Sequence, residues 1–175
     1  CSLHDISSCN FCDKIVSSSM QKFIASWNIG INSNVGTSGR GRNKLRTYRK
    51  QNYIVESYVT AKIPAKHKAA YAKFRMGVTP LRLEIGRYQN IPESQRLCQL
   101  CNNDIENEMH VLLHCNIYQT LRNEVFNKVR ELSAVFDTLG DEDKLFFVLT
   151  NNDMIKISAK TCFLIINTRN SILYR

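Results

Sequence analysis

The sequence predicts a mainly α-helical fold with one small β-hairpin. Apolar residues recur at steps of three and four across residues 118–136, which is the spacing of an amphipathic helix. Gly and Pro, which interrupt helices, number only 7 and 3 in 175 residues. A chain of this length can bury roughly 70 % of its unfolded surface, so we expect one domain with an arm.

The elements are predicted from local patterns. A helix at 13–29 is followed by a linker at 30–43, which holds four of the seven Gly. A second helix is predicted at 44–56, with a short extended piece at 53–59 as the alternative, and a third helix begins after Pro64 and ends at Gly77. Residues 78–92 alternate weakly in hydrophobicity and predict an extended segment with a turn at Gly86. Further helices are predicted at 106–115, 118–136, 141–149 and 154–174.

These elements group into four segments along the chain. Residues 1–40 form an N-terminal helix with the Gly/Ser/Asn linker, and residues 41–92 form a basic helical segment. Residues 93–118 hold a Cys- and His-rich motif, and residues 119–175 form the C-terminal helices.

Positive charge is concentrated in the first part of the chain. Residues 1–92 hold 15 Lys and Arg against 4 Asp and Glu, whereas residues 93–175 hold 9 against 11. Such a basic segment attracts polyanions. No long amphipathic helix accompanies the charge, so we expect RNA or DNA as the partner and no membrane. A solvated basic surface without a partner is the alternative.

The basic residues that could contact phosphates fall into three groups: a dense run, one helix face and a position near the Cys motif. These candidates are Arg40, Arg42, Lys44, Arg46, Arg49, Lys50, Lys66, Lys73, Arg75 and Arg96. Lys66 and Lys73 are seven residues apart, so they lie along one line of a helix surface. Nothing in the pattern predicts base specificity.

Potential metal ligands cluster within residues 98–115. Cys98 and Cys101 are separated by two residues, a spacing at which one tight turn can point both thiols inward. His110 follows on a predicted helix and supplies a third ligand. Two Cys and a His with a fourth Cys or His are typical of a structural Zn²⁺ site, so the hairpin and helix predict a zinc knuckle.

Spacing leaves the fourth ligand open. His110 and His114 are four residues apart and share one helix face. His110 and Cys115 are five apart, about 140° around an ideal helix, so the last turn would have to loosen. Both arrangements are chemically reasonable because thiolate and imidazole each bind Zn²⁺ well.

Other interpretations of the Cys residues carry less support. A redox Cys pair needs a thioredoxin-like βαβ setting, and the sequence does not predict one. The Cys and His could also be ordinary core residues. A second, weaker cluster, made of Cys1, His4, Cys9 and Cys12, could hold another ion, with a disordered chain end as the alternative.

The sequence favours a binding module over an enzyme. It contains no Gly-x-Ser-x-Gly, no phosphate-binding Gly loop and no His-Glu-x-x-His, and it lacks the paired acidic element of a polymerase palm. Seven Cys with no signal peptide predict a reducing compartment, the nucleus or the cytoplasm.

The stretch 73–118 resembles the zinc-binding region near the carboxyl end of non-LTR retrotransposon reverse transcriptases. The matching positions are Arg75, Gly77, Pro80, Leu81, Cys98, Cys101, Glu108, His110 and Cys115. Looser blocks at 41–49, 58–64 and 158–165 are similar to animal proteins derived from such elements, so the resemblance spans about 41–175.

The resemblance implies a ligand set and a role. It implies that Cys115 is the fourth zinc ligand and that His114 is a bystander. It also implies a zinc module that helps to bind template RNA or target DNA beside an upstream reverse transcriptase core, where the catalytic residues lie. A zinc-stabilised protein–protein interaction module and a decayed element fragment without function are the alternatives.

Overall fold

The computed structural model describes residues 15–22, 24–26 and 55–174. The chain divides into two compact units, Cys1–Val55 and Glu56–Arg175. In the first unit, residues 15–22 and 24–26 are helical, within the predicted helix at 13–29. The predicted linker at 30–43 and the potential ligands Cys1, His4, Cys9 and Cys12 lie outside the described residues.

The second unit is built from helices, which we label α1 to α6 from its start. They are α1 (Ser57–Thr60), α2 (Ala65–Met76), α3 (Arg82–Tyr88), α4 (Gln119–Leu132), α5 (Asp141–Thr150) and α6 (Ile155–Leu173). A five-residue π-helix, His110–His114, lies between α3 and α4. The prediction of a mainly α-helical fold is therefore confirmed for the described part.

Helix α2 begins after Pro64 and ends at Gly77, as its sequence predicts. Gly77 adopts a left-handed conformation with φ 66°, and the N–H groups of Gly77 and Val78 donate to the last carbonyls of the helix. The face that α2 buries is Ala70, Tyr71 and Phe74, and it packs most extensively against α6. The Tyr71 hydroxyl donates to the Leu149 carbonyl at 2.7 Å, which ties α2 to the end of α5.

A second part of the core lies between α4, α5 and the start of α6. Its buried members are Val125, Val129, Phe136, Val148 and Met154. The apolar stripe predicted for residues 118–136 supplies Val125 and Val129 to this cluster, but the helix stops at Leu132 and a 3₁₀ turn carries Phe136. Residues 93–118 contact both packed regions, through Arg169 of α6 and Arg122 of α4.

The predicted extended segment at 78–92 is wrong, because residues 82–88 form helix α3. The first N–H groups of a helix need acceptors from outside it. Here the Arg82 N–H donates to the Glu106 carboxylate at 2.6 Å, and the Leu83 N–H donates to the Glu106 carbonyl at 3.1 Å. The acceptor lies 24 residues away in the sequence, where a local pattern cannot reveal it.

The predicted β-hairpin does not form strands in the part of the chain that the structure describes. Its pairing is reduced to one antiparallel bridge between Leu97 and Ile105. The Cys98 N–H donates to Asp104 and the Glu106 N–H donates to Arg96 on either side of that bridge. The pairing extends no further, because the Cys98 carbonyl accepts from Asn102 in a turn and the Glu106 carbonyl accepts from Leu83 of α3.

No helix in the described ranges is long and apolar enough to cross a membrane.

Candidate metal centre

The first two potential ligands are held by a tight turn. The Asn102 N–H donates to the Cys98 carbonyl at 2.8 Å, so the chain reverses across Cys98 to Asn102. Asn102 takes the left-handed conformation, with φ 55°, that such a turn requires. The turn therefore places the Cys98 and Cys101 thiols on the same side, as the two-residue spacing predicts.

The other two ligands come from the π-helix and its end. The Asn107 side chain accepts from the His110 N–H at 2.7 Å, which fixes the start of this turn. The Cys115 N–H donates to the His110 carbonyl at 2.7 Å, the five-residue step that defines a π-helix. Because a π-helical turn is wider than an α-helical turn, His110 and Cys115 can both point toward the same position, as the sequence required.

The ligand atoms of Cys98, Cys101, His110 and Cys115 all lie within 4.8 Å of one another. The Cys98 and Cys115 sulfurs are 4.0 Å apart, and the Cys101 sulfur is 3.2 Å from His110 Nε2. Tetrahedral Zn²⁺ with its usual bond lengths would space such atoms by about 3.5–3.8 Å. The quartet can therefore hold one tetrahedral metal ion with small adjustments.

His114 lies outside this cluster. Its Nε2 is 2.9 Å from Asp141 Oδ2 at the start of α5, and its side chain is 45 % exposed. Cys115, by contrast, is 1 % exposed and faces Cys98. Of the two alternatives that spacing left open, the structure brings Cys115 into the quartet.

Burial sets the protonation of the ligands. It raises the pKa of the Cys115 thiol to about 12 and raises the pKa of the Cys98 thiol above its usual range. Burial also lowers the pKa of His110, so this imidazole is neutral near pH 7, as a metal ligand must be. The His110 Nδ1, the ring nitrogen that does not contact Cys101, lies 4.0 Å from the Asp104 carboxylate.

A buried ion pair adjoins Cys98. Arg169 of α6 donates to both carboxylate oxygens of Glu106, at 2.8 and 2.9 Å, and these side chains are 1 % and 0 % exposed. The Cys98 sulfur is 4.0 Å from Glu106 Oε1. Glu106 thus joins α3, α6 and the Cys98 turn, and Arg169 balances its charge.

Arg122 of α4 contacts the other end of the centre. Its guanidinium donates to the Cys115 carbonyl and, at 3.4 Å, to the Val111 carbonyl. Burial lowers the pKa of Arg122, and the charge of Cys115 opposes this effect. The contacts satisfy carbonyls at the end of the π-helix that have no partner within it.

Glu106, Arg122 and Arg169 were not among the residues predicted from the sequence. A signal for two of them exists in the helix patterns. Arg122 falls four residues after Tyr118 and three before Val125, on the apolar face of α4, and Arg169 follows Ile165 on the buried face of α6. A charged residue in an apolar register indicates a buried partner.

The predicted phosphate-contacting residues divide into three sets. Lys66 and Lys73 are exposed on α2, and the Lys66 ammonium lies 4.8 Å from the Phe163 ring centroid. Arg75 and Arg96 are instead engaged inside the molecule. The remaining candidates, Arg40, Arg42, Lys44, Arg46, Arg49 and Lys50, lie outside the described residues.

Arg75 and Arg96 make contacts within the protein. Arg75 is 8 % exposed and donates to the Leu149 carbonyl and to the Glu56 carboxylate. Arg96 donates to the Ile91 carbonyl at 2.7 Å and to the Leu83 carbonyl at 3.0 Å. These bonds engage donors of both residues with protein acceptors, and Arg75 is the more deeply buried of the two.

The fold and the cluster define a helical domain with a Cys₃His group that can hold a metal ion. Comparisons of the chain with known protein families, with curated proteins and with solved structures find no match.

Proposed function

We propose that this chain is a zinc-binding module that binds RNA or DNA through phosphate contacts and is not catalytic by itself. The single observation that carries the proposal is the Cys₃His cluster, whose ligand atoms lie within 4.8 Å of one another. Three sulfurs and one imidazole suit Zn²⁺ far better than Mg²⁺ or Ca²⁺, which prefer oxygen. Four protein ligands leave no open position for chemistry, so the zinc would be structural.

Charge on the second unit supports a polyanionic partner. Glu56 and Glu84 are the acidic residues within 56–92, and each is in an ion pair, with Arg75 at 3.0 Å and with Arg87 at 2.5 Å. The lysines of α2 therefore meet no unpaired carboxylate from this stretch. The basic run at 40–50 adds to the same positive segment in the sequence.

The resemblance to the zinc region of non-LTR retrotransposon reverse transcriptases supports the same role. In that role the module would bind template RNA or target DNA beside an upstream polymerase core. Its working compartment would be the nucleus or the cytoplasm.

Native mass spectrometry of three proteins tests the metal. We expect one zinc in the wild type, none in Cys115→Ser and one in His114→Ala, because Cys115 lies in the quartet and His114 pairs with Asp141. A wild type without zinc, or a zinc lost only in His114→Ala, would contradict the proposed centre.

Electrophoretic mobility shift of RNA and of DNA at two salt concentrations tests the partner. We expect binding that weakens steeply with salt, and weaker binding by Lys66→Glu/Lys73→Glu than by wild type. The charge-matched control is Lys128→Glu/Arg130→Glu on α4, where both residues pair with acidic neighbours. Absence of any shift at low salt removes the nucleic-acid proposal and leaves the zinc proposal standing.

A further inference from the structure

In the part of the chain that the structure describes, Arg122 is a buried cation without a carboxylate partner. Among the described residues three arginines are buried, and two of them have a carboxylate: Arg75 pairs with Glu56, and Arg169 pairs with Glu106. Arg122 is 6 % exposed, and its acceptors in the described part are the two carbonyls at the end of the π-helix. A buried charge is costly unless an opposite charge lies nearby.

A loaded metal centre would supply that opposite charge. Three thiolates and one neutral imidazole around a divalent cation carry a net charge of −1, by the charges of the ligands. The pair Glu106–Arg169 is neutral as a whole, and Asp104 is 63 % exposed. The buried Glu108 carboxylate accepts from the Thr79 hydroxyl at 2.5 Å. Arg122 is the buried cation that contacts the Cys115 end of the centre.

We propose that Arg122 is the counter-charge of the metal centre and makes the domain select a three-thiolate ligand set. This inference rests on the proposed zinc function. A centre with two Cys and two His would carry no net charge, so it would leave the Arg122 guanidinium unbalanced in the interior. Cys115 makes both contacts: its thiol lies in the quartet, and its carbonyl accepts from Arg122.

Arg122 also donates hydrogen bonds, so the test must separate charge from hydrogen bonding. Arg122→Lys keeps the positive charge and a donor, whereas Arg122→Gln keeps a donor and removes the charge. Arg130→Gln is the matched control, because Arg130 lies on the same helix but is exposed and pairs with Asp137. Zinc affinity is measured for each protein by competition with a chelator of known affinity.

We expect Arg122→Gln to bind zinc about 10- to 100-fold more weakly than wild type, the range seen when groups that support metal ligands are changed. Arg122→Lys and Arg130→Gln should stay within about 3-fold of wild type, since each keeps the buried charge. Equal affinities for Arg122→Gln and Arg122→Lys would overturn the inference and leave the zinc function intact. A wild type that binds no zinc would overturn the zinc function itself.

A second comparison separates the net charge of the centre from the hydrogen bonds that Arg122 donates, and circular dichroism of each variant confirms that it is folded. Cys115→His converts the centre to a neutral set of two thiolates and two imidazoles. In that background, adding Arg122→Gln should change zinc affinity by less than about 3-fold, or should strengthen it, because no net charge needs balancing. The same loss in both backgrounds would show that Arg122 acts only through its hydrogen bonds, and the inference would fail.

Discussion

Two of the three thiols of the candidate metal centre, those of Cys98 and Cys115, are buried, and this affects how metal binding depends on pH. Cys98 is 0 % exposed and Cys115 is 1 % exposed. Desolvation disfavours the thiolate, which is why the pKa of each is raised. Zn²⁺ binds thiolates, so the ion must displace these protons when it enters.

Zinc affinity should therefore rise with pH. Because at least the Cys98 and Cys115 protons are displaced, we expect an increase of at least about 100-fold per pH unit between about pH 6 and about pH 8. The lowered pKa of His110 keeps that ligand neutral over most of this range, so the increase comes from the thiols.

Chelator competition at several pH values measures the slope. Calorimetry in two buffers of different ionisation enthalpy counts the protons released. A slope near zero would contradict the protonated state of these thiols.

Gly86 within α3 and Gly140 just before α5 differ in how much space a side chain would have. A Cβ at Gly86 in α3 would lie 2.8 Å from Arg96 Cγ and 2.9 Å from Cδ. Gly140 precedes α5 with φ −66° and ψ 159°, the usual geometry of a helix cap, and the nearest atom to a Cβ there is 3.9 Å away. No side chain caps α5 at present.

The same substitution should therefore have opposite effects at the two sites. Gly86→Ser should displace Arg96 from its carbonyl acceptors and lower the free energy of unfolding by about 1–3 kcal/mol. Gly140→Ser should supply a capping hydroxyl and raise it by about 0.3 kcal/mol. Urea denaturation of both variants against wild type measures the two shifts, and equal shifts would contradict the packing of Arg96 on α3.

In the second unit, the candidate metal centre lies in a segment that has little regular structure of its own. Residues 93–118 contain one β-bridge and short helical turns. In contrast, α2 and α4 both pack against α6, and α4 and α5 contribute side chains to one apolar cluster. Isolated pieces of this size are marginal without a metal or a core.

Chelation should loosen this segment before the rest of the second unit. We expect amide hydrogen exchange to speed up in residues 96–118 after zinc removal while α2 and α6 keep their protection, because their packing needs no metal. Cys115→Ser, already without zinc, is the control and should show no further change with chelator. Identical exchange with and without chelator in the wild type would show that nothing is coordinated there.

Much of the fold follows from local patterns. Helices α2, α4, α5 and α6 lie where apolar spacing, Pro64, Gly77 and the acidic start at Asp141 predict them. Helix α3 does not, because its cap is Glu106, far along the chain. The π-helix is also not predicted by an ideal helical period, although the five-residue spacing of His110 and Cys115 indicates that the helix must distort if both are ligands.

Composition and short spacing are local properties, so the helical class, the positive first half and the potential ligands Cys98, Cys101 and His110 follow from them, while His114 and Cys115 stay open as the fourth ligand. Packing between distant segments brought Cys115 into the quartet and set which charges are accessible. It turned Arg75 and Arg96 inward, joined Glu106 to Arg169, and set Arg122 on the Cys115 carbonyl. A buried charge must find its partner across the fold, and that partner is chosen by packing between distant segments and not by neighbours in sequence.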